Sequence, residues 1–305
     1  MDHPEAPHNP PLRLPGWLKK TRDLCTLHHL KAKLRDSGLS TVCEEARCPN
    51  ICECFQKPTA TFLILGDVCT RCCSFCSVRK GIPSSVNRQE PFLVAQTAEE
   101  MGLEHVVITS VTRDDLPDKG AYGFTSTIRA IRDLTPACTI EILSPDFCGR
   151  QDLLEIILAE KPDVFGHNVE MAERLYPTIR PCSSLTRSLD VLRNIKQISP
   201  ETIVKSGFMV GLGESESEIM DLLGSLADAG CDVVTIGQYL RPTRLQIPVA
   251  HYWEPEFYVS WSNLAKSLGI GYCIAGPFVR SSYRAKEVLN DIRYSQHNMY
   301  KDKNE

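Results

Sequence analysis

Eight of the chain's 14 cysteines lie between Cys43 and Cys76. Within that stretch Cys69, Cys73 and Cys76 fit the spacing C-x3-C-x2-C. Thiolates this close on one loop suit an iron–sulfur cluster or a zinc ion. A 4Fe–4S cluster held by three protein ligands keeps one iron open to a small molecule, which a catalytic cluster needs. The alternative is a structural zinc site with Cys72 as fourth ligand. A second trio comes first in the chain: Cys43, Cys48 and Cys54 fit C-x4-C-x5-C, with Cys52 as a spare. Its alternatives are a zinc knuckle or loop cysteines without metal; two adjacent trios argue against the last for both. A disulfide scaffold is a poor fit to 305 residues with no export signal.

Cysteine loops need a scaffold, and the rest of the sequence supplies one. From residue 60 onward apolar, β-rich runs alternate with helical patterns. The strand candidates are 61–65, 105–111, 138–143, 163–168, 203–210, 232–238 and 270–275. Helices are expected near 93–103, 123–134, 150–160, 186–197, 215–229 and 255–268. In 186–197 the residues Leu189, Leu192 and Ile195 recur at helical spacing. Ser144-Pro145-Asp146 and Gly213-Glu214-Ser215 read as helix-entry signals. This alternation predicts an α/β fold of parallel crossovers, a full sheet or most of a TIM-type barrel. Either layout binds ligands at the carboxyl ends of the strands. A helix is expected at 18–36 before the cysteine-rich loop, and 285–305 reads as a polar tail with a mobile end.

Composition narrows the classes of function. Hydrophobic residues make up 42%, charged residues 24%, and the net charge is -4. That balance describes a globular protein and gives no basic excess to drive nucleic-acid binding. No apolar run approaches the ~20 residues of a membrane helix. The Pro-rich, acid-containing residues 1–16 resemble neither a signal nor a transit peptide, so a cytoplasmic protein is expected.

Several motifs together carry a family resemblance. They are TVCEEARCPN with its third cysteine (41–54), CTRxCxFC (69–76) and RSSY (280–283). Further matches are TSVTRDDL (109–116), HNVE (167–170), KSGFMVGLGE (205–214) and TIGQYLRPT (235–243). From about Ser40 to Ala285 the chain resembles the lipoyl synthases, a family of radical S-adenosylmethionine (SAM) enzymes. C-x3-C-x2-C alone points only to the radical SAM superfamily; the 43–54 trio with RSSY is far more specific.

The resemblance implies a partial TIM-type (β/α)6 barrel at 60–278, an N-terminal extension at 1–59 carrying the auxiliary-cluster cysteines, and a C-terminal extension at 279–305 carrying RSSY. It implies two 4Fe–4S clusters. Cys69, Cys73 and Cys76 would hold the one that binds and reduces SAM. Cys43, Cys48 and Cys54 would hold the auxiliary cluster, completed by Ser282, with Ser281 as the near alternative. It implies insertion of sulfur, taken from the auxiliary cluster, at C6 and C8 of an octanoyl chain on a carrier-protein lysine. The implied partners are octanoylated lipoyl domains (dehydrogenase E2 or the glycine-cleavage H protein), an electron donor such as ferredoxin or flavodoxin, and an iron–sulfur carrier.

Other residues support this plan unequally. Asn168 and Glu170, at the end of the fourth expected strand, suit a ribose hydroxyl or a plain helix-entry pair. Lys205 and Arg180 are candidates for the SAM carboxylate or for surface charges. Arg113, Asp114 and Asp115 suit ligand positioning or a capped turn; Gly211, Gly213 and Glu214 suit a close backbone approach or a simple turn. His167 reads as a hydrogen-bonded core histidine. Cys72, Ser74, Gly166, Met171, Lys119 and Cys182 depart from the family pattern, and none removes an expected ligand. Two rivals are another sulfur-inserting radical SAM enzyme and a zinc-binding interaction protein. An electron-transfer protein would want both clusters fully thiolate-ligated.

Overall fold

The computed structural model describes residues 12–19, 39–50 and 59–302. The expected 18–36 helix, Cys52 and Cys54 thus lie, in all but the helix's first two residues, outside the described residues. The described elements begin with β1 (Ser40–Thr41) and α1 (Val42–Glu45), then β2 (Thr59–Ile64) and the short pair β3 (Val68–Cys69) and β4 (Arg79–Lys80). Strand and helix then alternate: α2 (Glu90–Glu100), β5 (His105–Ser110), α3 (Ala121–Leu134), β6 (Thr139–Leu143), α4 (Gln151–Leu158), β7 (Val164–Gly166). The short α5 (Tyr176–Ile179) precedes α6 (Leu185–Ile198), β8 (Ile203–Val210), α7 (Glu216–Asp228), β9 (Val233–Gln238), α8 (Pro255–Ser267), β10 (Tyr272–Gly276) and α9 (Ala285–Asp302).

The main sheet runs β1-β2-β5-β6-β7-β8-β9-β10. All its pairs from β2 to β10 are parallel, and β1 is antiparallel to β2. The two ends of the sheet do not bond to each other, so the fold is the expected partial barrel. Leu63, Thr109 and Leu143 share one register row and line a single cavity. Alternation sends Phe62, Ile108 and Ile142 the other way, into a core shared with Ile128 of α3 and Ile157 of α4. Each such burial contributes roughly 1.5–3 kcal/mol.

Of the two helix-entry signals, Gly213-Glu214-Ser215 opens a helix directly and Ser144-Pro145-Asp146 opens only a short turn. Ser215 caps α7 with a reciprocal capping box: its hydroxyl accepts from Glu218 N and the Glu218 carboxylate accepts from Ser215 N. Asp146 caps a short turn, its carboxylate accepting from Cys148 N at 3.0 Å, and α4 starts only at Gln151. α2 starts earlier than its apolar pattern because Pro91 sits in its first turn.

The C-terminal segment differs from expectation. It forms α9, and Val288, Leu289 and Ile292 bury against Val164, Ile203 and Val233 near the starts of three strands. One narrow apolar face on a charge-rich helix is easily missed in composition. Among the described residues, no helix is long and apolar enough to cross a membrane.

Leu289 is 1% exposed and Leu245 is 92% exposed. Leu289→Ala is expected to destabilise the chain by about 2–4 kcal/mol, and Leu245→Ala by less than about 0.5 kcal/mol. Urea unfolding of the two variants checks this; equal midpoints would remove α9 from the core.

Candidate active site

The first trio sits on the loop that β3 and β4 close at its base. The backbone ties that loop down on several sides. Gly81 N donates to Cys69 O at 3.0 Å, Ser74 N to Ile179 O at 2.9 Å, and Ile247 N to Ser74 O at 3.2 Å. Arg71, 4% exposed, holds it from within. Its guanidinium donates to Asp114 through Nε (2.7 Å) and Nη2 (3.0 Å), and to Asp146 through Nη1 (2.9 Å) and Nη2 (2.6 Å). These two carboxylates follow β5 and β6. Burial pushes the Asp146 carboxyl up, and the Arg71 hydrogen bonds and charge more than reverse this, holding it well below the carboxylate range.

Cys69, Cys73 and Cys76 line a cavity of about 180 Å³ together with Asn168, Glu170 and Arg180. Burial pushes the Cys73 thiol up to about 11, against the Arg180 charge, and raises the Cys76 thiol as well. Thiols in that state become ligands when a metal displaces the proton. Three residues that line the same cavity each carry a buried polar atom without a hydrogen-bond partner: Ser110 Oγ, Ser144 Oγ and His167 Nε2. Each such orphan costs about 1–3 kcal/mol. His167 Nδ1 donates to Ser144 O at 2.9 Å, which leaves Nε2 a bare acceptor. Burial and then the Arg180 charge push this imidazole down to about 4.

Glu170 adopts a left-handed backbone at φ 69°. Its N donates to Gly207 O at 3.0 Å and its O accepts from Met209 N at 2.9 Å, so β8 fixes the strained residue. Burial raises its carboxyl, opposed by the Arg180 charge and the Asn168 amide. Arg180, 8% exposed, reaches Asn168 O at 3.4 Å. Thus Asn168, Glu170 and Arg180 come together beside the cysteine loop. Lys205 does not: its Nζ is 2.8 Å from Glu141 Oε1, and it is not among the residues lining the cavity. Arg113 is bound by Asp115 and by the carbonyls of Leu65 and Ser84. Glu214 accepts from Gly211 N and Leu212 N, closing a turn on itself.

Cys43 and Cys48 line a second, smaller cavity of about 30 Å³ with Asn50, His105, Arg280 and Ser282. Cys54 lies outside the described residues. Asn50 Nδ2 donates to Phe278 O at 2.5 Å and joins the two segments. The neighbouring serines part company: Ser282 lines this cavity, while Ser281 Oγ accepts from Asn168 Nδ2 at 3.4 Å. Cys72 is exposed and lines neither cavity. Among the described residues, no three His, Cys, Asp or Glu side chains converge as a single metal ion requires. Sequence reasoning missed Arg71, Ser110, Ser144, Asn50 and Arg280 as site residues. Asp146 was visible only as a helix-entry signal.

An open parallel barrel with a three-cysteine loop at its first strand's carboxyl end defines a radical SAM protein, and residues 63–226 match the radical SAM superfamily. Residues 5–48 match the N-terminal domain of lipoyl synthase of that family. Lipoyl synthase from Rubrobacter xylanophilus is 49% identical over 280 residues, covering 92% of this chain and 87% of that protein. The lipoyl synthase of Caldicellulosiruptor bescii is 48% identical over 286 residues, covering 92% and 98%. The chain belongs to the lipoyl synthase family. Among solved structures it is similar in fold to Streptococcus suis SuiB bound to S-adenosylmethionine (TM-score 0.56, 11% identity, 80% of this chain and 52% of that one). It is also similar in fold to methylornithine synthase (TM-score 0.50, 15% identity, 70% of each).

His167 provides a pH test of this buried site. The unfolded chain takes up a proton near pH 6.5 that the folded chain refuses until about pH 4. The resulting stability is complete above pH 6.5 and is lost as the pH falls towards 4. Between pH 7 and pH 4, cluster-free wild type is expected to lose roughly 3 kcal/mol more than His167→Gln. Urea unfolding at each pH reads the difference; parallel curves would show an imidazole that titrates normally.

Proposed function

We propose that this chain inserts sulfur at C6 and C8 of an octanoyl chain amide-linked to a lysine of a carrier protein. The observation that carries the reading is the second cavity. Superfamily chemistry needs only the Cys69, Cys73, Cys76 loop, whereas Cys43, Cys48 and Ser282 lining a further pocket suit a second, sulfur-supplying centre. Saturated carbons have no acidic proton and no leaving group, so side-chain acid–base catalysis cannot open them. Cys69, Cys73 and Cys76 would hold a 4Fe–4S cluster that would supply the electron for reductive cleavage of SAM and so the means of hydrogen abstraction.

The chain's own residues bind, orient and exclude water. Cys69, Cys73 and Cys76 would hold the first cluster, leaving one position open to SAM. Glu170 and Asn168 would hold ribose hydroxyls, with His167 Nε2 as a further acceptor. Arg180 suits the SAM carboxylate; Lys205 is committed to Glu141. Cys43, Cys48 and Cys54 would hold the auxiliary cluster, with Ser282 as its weaker oxygen ligand. An iron held by a hard oxygen is more readily released than one held by thiolate, which suits a centre that surrenders sulfide. The fitting carriers are the lipoyl domains of dehydrogenase complexes and the glycine-cleavage carrier, with a small electron-transfer protein as reductant.

The test is anaerobic reconstitution with iron and labelled sulfide, then assay with SAM, reductant and an octanoyl-lysine peptide in unlabelled medium. Wild type is expected to give lipoyl product bearing the label. Cys73→Ala is expected to make no 5′-deoxyadenosine. Cys54→Ala is expected to make 5′-deoxyadenosine but no lipoyl product. Unlabelled product would defeat the auxiliary cluster as sulfur source, and normal SAM cleavage by Cys73→Ala would defeat the first assignment.

A further inference from the structure

The second cavity contains a cation with no acid beside it. Arg280 is half-buried and lines the pocket with Cys43, Cys48 and Ser282. Its Nη1 donates to the carbonyl of Val279 at 2.6 Å and, at the limit of hydrogen bonding, to that of Pro277 at 3.5 Å. Among the described residues, no carboxylate forms an ion pair with it. Arg180 of the first cavity likewise forms no ion pair among the described residues, whereas the other inward-facing cations differ. Arg71, Arg113 and Lys205 each meet a carboxylate within 2.9 Å.

The arginine's place is built into the barrel. Gly237 of β9 carries no side chain where a Cβ would lie 2.1 Å from Val279 O and 3.0 Å from Arg280 Nη1. The Asn50 bond to Phe278 O fastens the cysteine segment to the segment that bears the arginine. A half-buried cation without a counter-charge carries a desolvation cost. A centre held by three thiolates and a serine oxygen carries net negative charge and would offset that cost. Net charge near an iron–sulfur centre is one of the levers that set its potential.

We propose that Arg280 is the counter-cation of the auxiliary iron–sulfur centre, balancing its negative charge without ligating it and holding its reduction potential up. The proposal rests on the reading of Cys43, Cys48, Cys54 and Ser282 given above. It deepens that reading by assigning Arg280 a task separate from the serine that follows it.

The experiment uses the full chain with Cys69, Cys73 and Cys76 replaced by Ala, so that only the auxiliary trio can be loaded. Iron and sulfide per chain are measured after anaerobic reconstitution, and the centre is titrated by potentiometry followed by electron paramagnetic resonance. Arg280→Lys keeps the charge and is expected to load and titrate close to the parent. Arg280→Gln removes it and is expected to titrate at a more negative potential and to lose iron to a chelator several-fold faster. Failure of the Gln variant alone to hold iron supports the same conclusion. Coincident potentials for Gln variant and parent at equal iron content would overturn the proposal. So would loss of the centre in both variants, since shape and not charge would then be required. A parent chain that takes up no iron would overturn the functional reading itself, and this proposal with it.

Discussion

The cysteine loop depends on one buried guanidinium. Between β3 and β4 the loop has no helix or strand of its own, and its cysteines keep their places through the loop's grip on the barrel around it. Arg71 supplies that grip. It joins the loop to the residues following β5 and β6 through four hydrogen bonds to two carboxylates, and Ser183 adds a hydroxyl to Asp146 at 2.8 Å. A planar fork held on two sides has little freedom to rotate. Removing one partner of such a buried cluster leaves charge uncompensated, at a cost of about 3–5 kcal/mol. The position of the thiols therefore depends on an arginine of the loop together with carboxylates at the barrel's strand ends.

What the sequence made legible follows from the range of the interactions involved. The parallel strands were readable because both faces are buried and short apolar runs recur in them, as in Val106, Val107 and Ile108. The cysteine trios were readable because ligand spacing is local. The Arg71 clamp was not, because its carboxylates lie 43 and 75 residues away. Lys205 shows the same limit. A lysine in a strand looks available to an anionic ligand until Glu141, 64 residues distant, is seen to take it. The C-terminal helix was hidden for a different reason, since only a narrow face of a charge-rich segment meets the core.

The RSSY segment gains meaning from geometry. Two adjacent serines on an irregular stretch face different neighbours, and here they face different cavities. Ser281 touches Asn168 of the first cavity, while Ser282 belongs to the second. One short stretch of chain thereby reaches both sites, the first lined by residues 63–180 and the second by residues from both ends of the sequence. Asn50 and Gly237 set how closely it can lie, one through a hydrogen bond and the other through the absence of a side chain.

Helix α9 makes the open barrel a cup instead of a pipe. Val288, Leu289 and Ile292 cover the end where the strands begin. The carboxyl ends of the strands, where the cysteine loop sits, are thereby the open end of the cup. A stoppered vessel also keeps bulk solvent from draining through the lumen, which matters for any species that would be quenched by the first water it met.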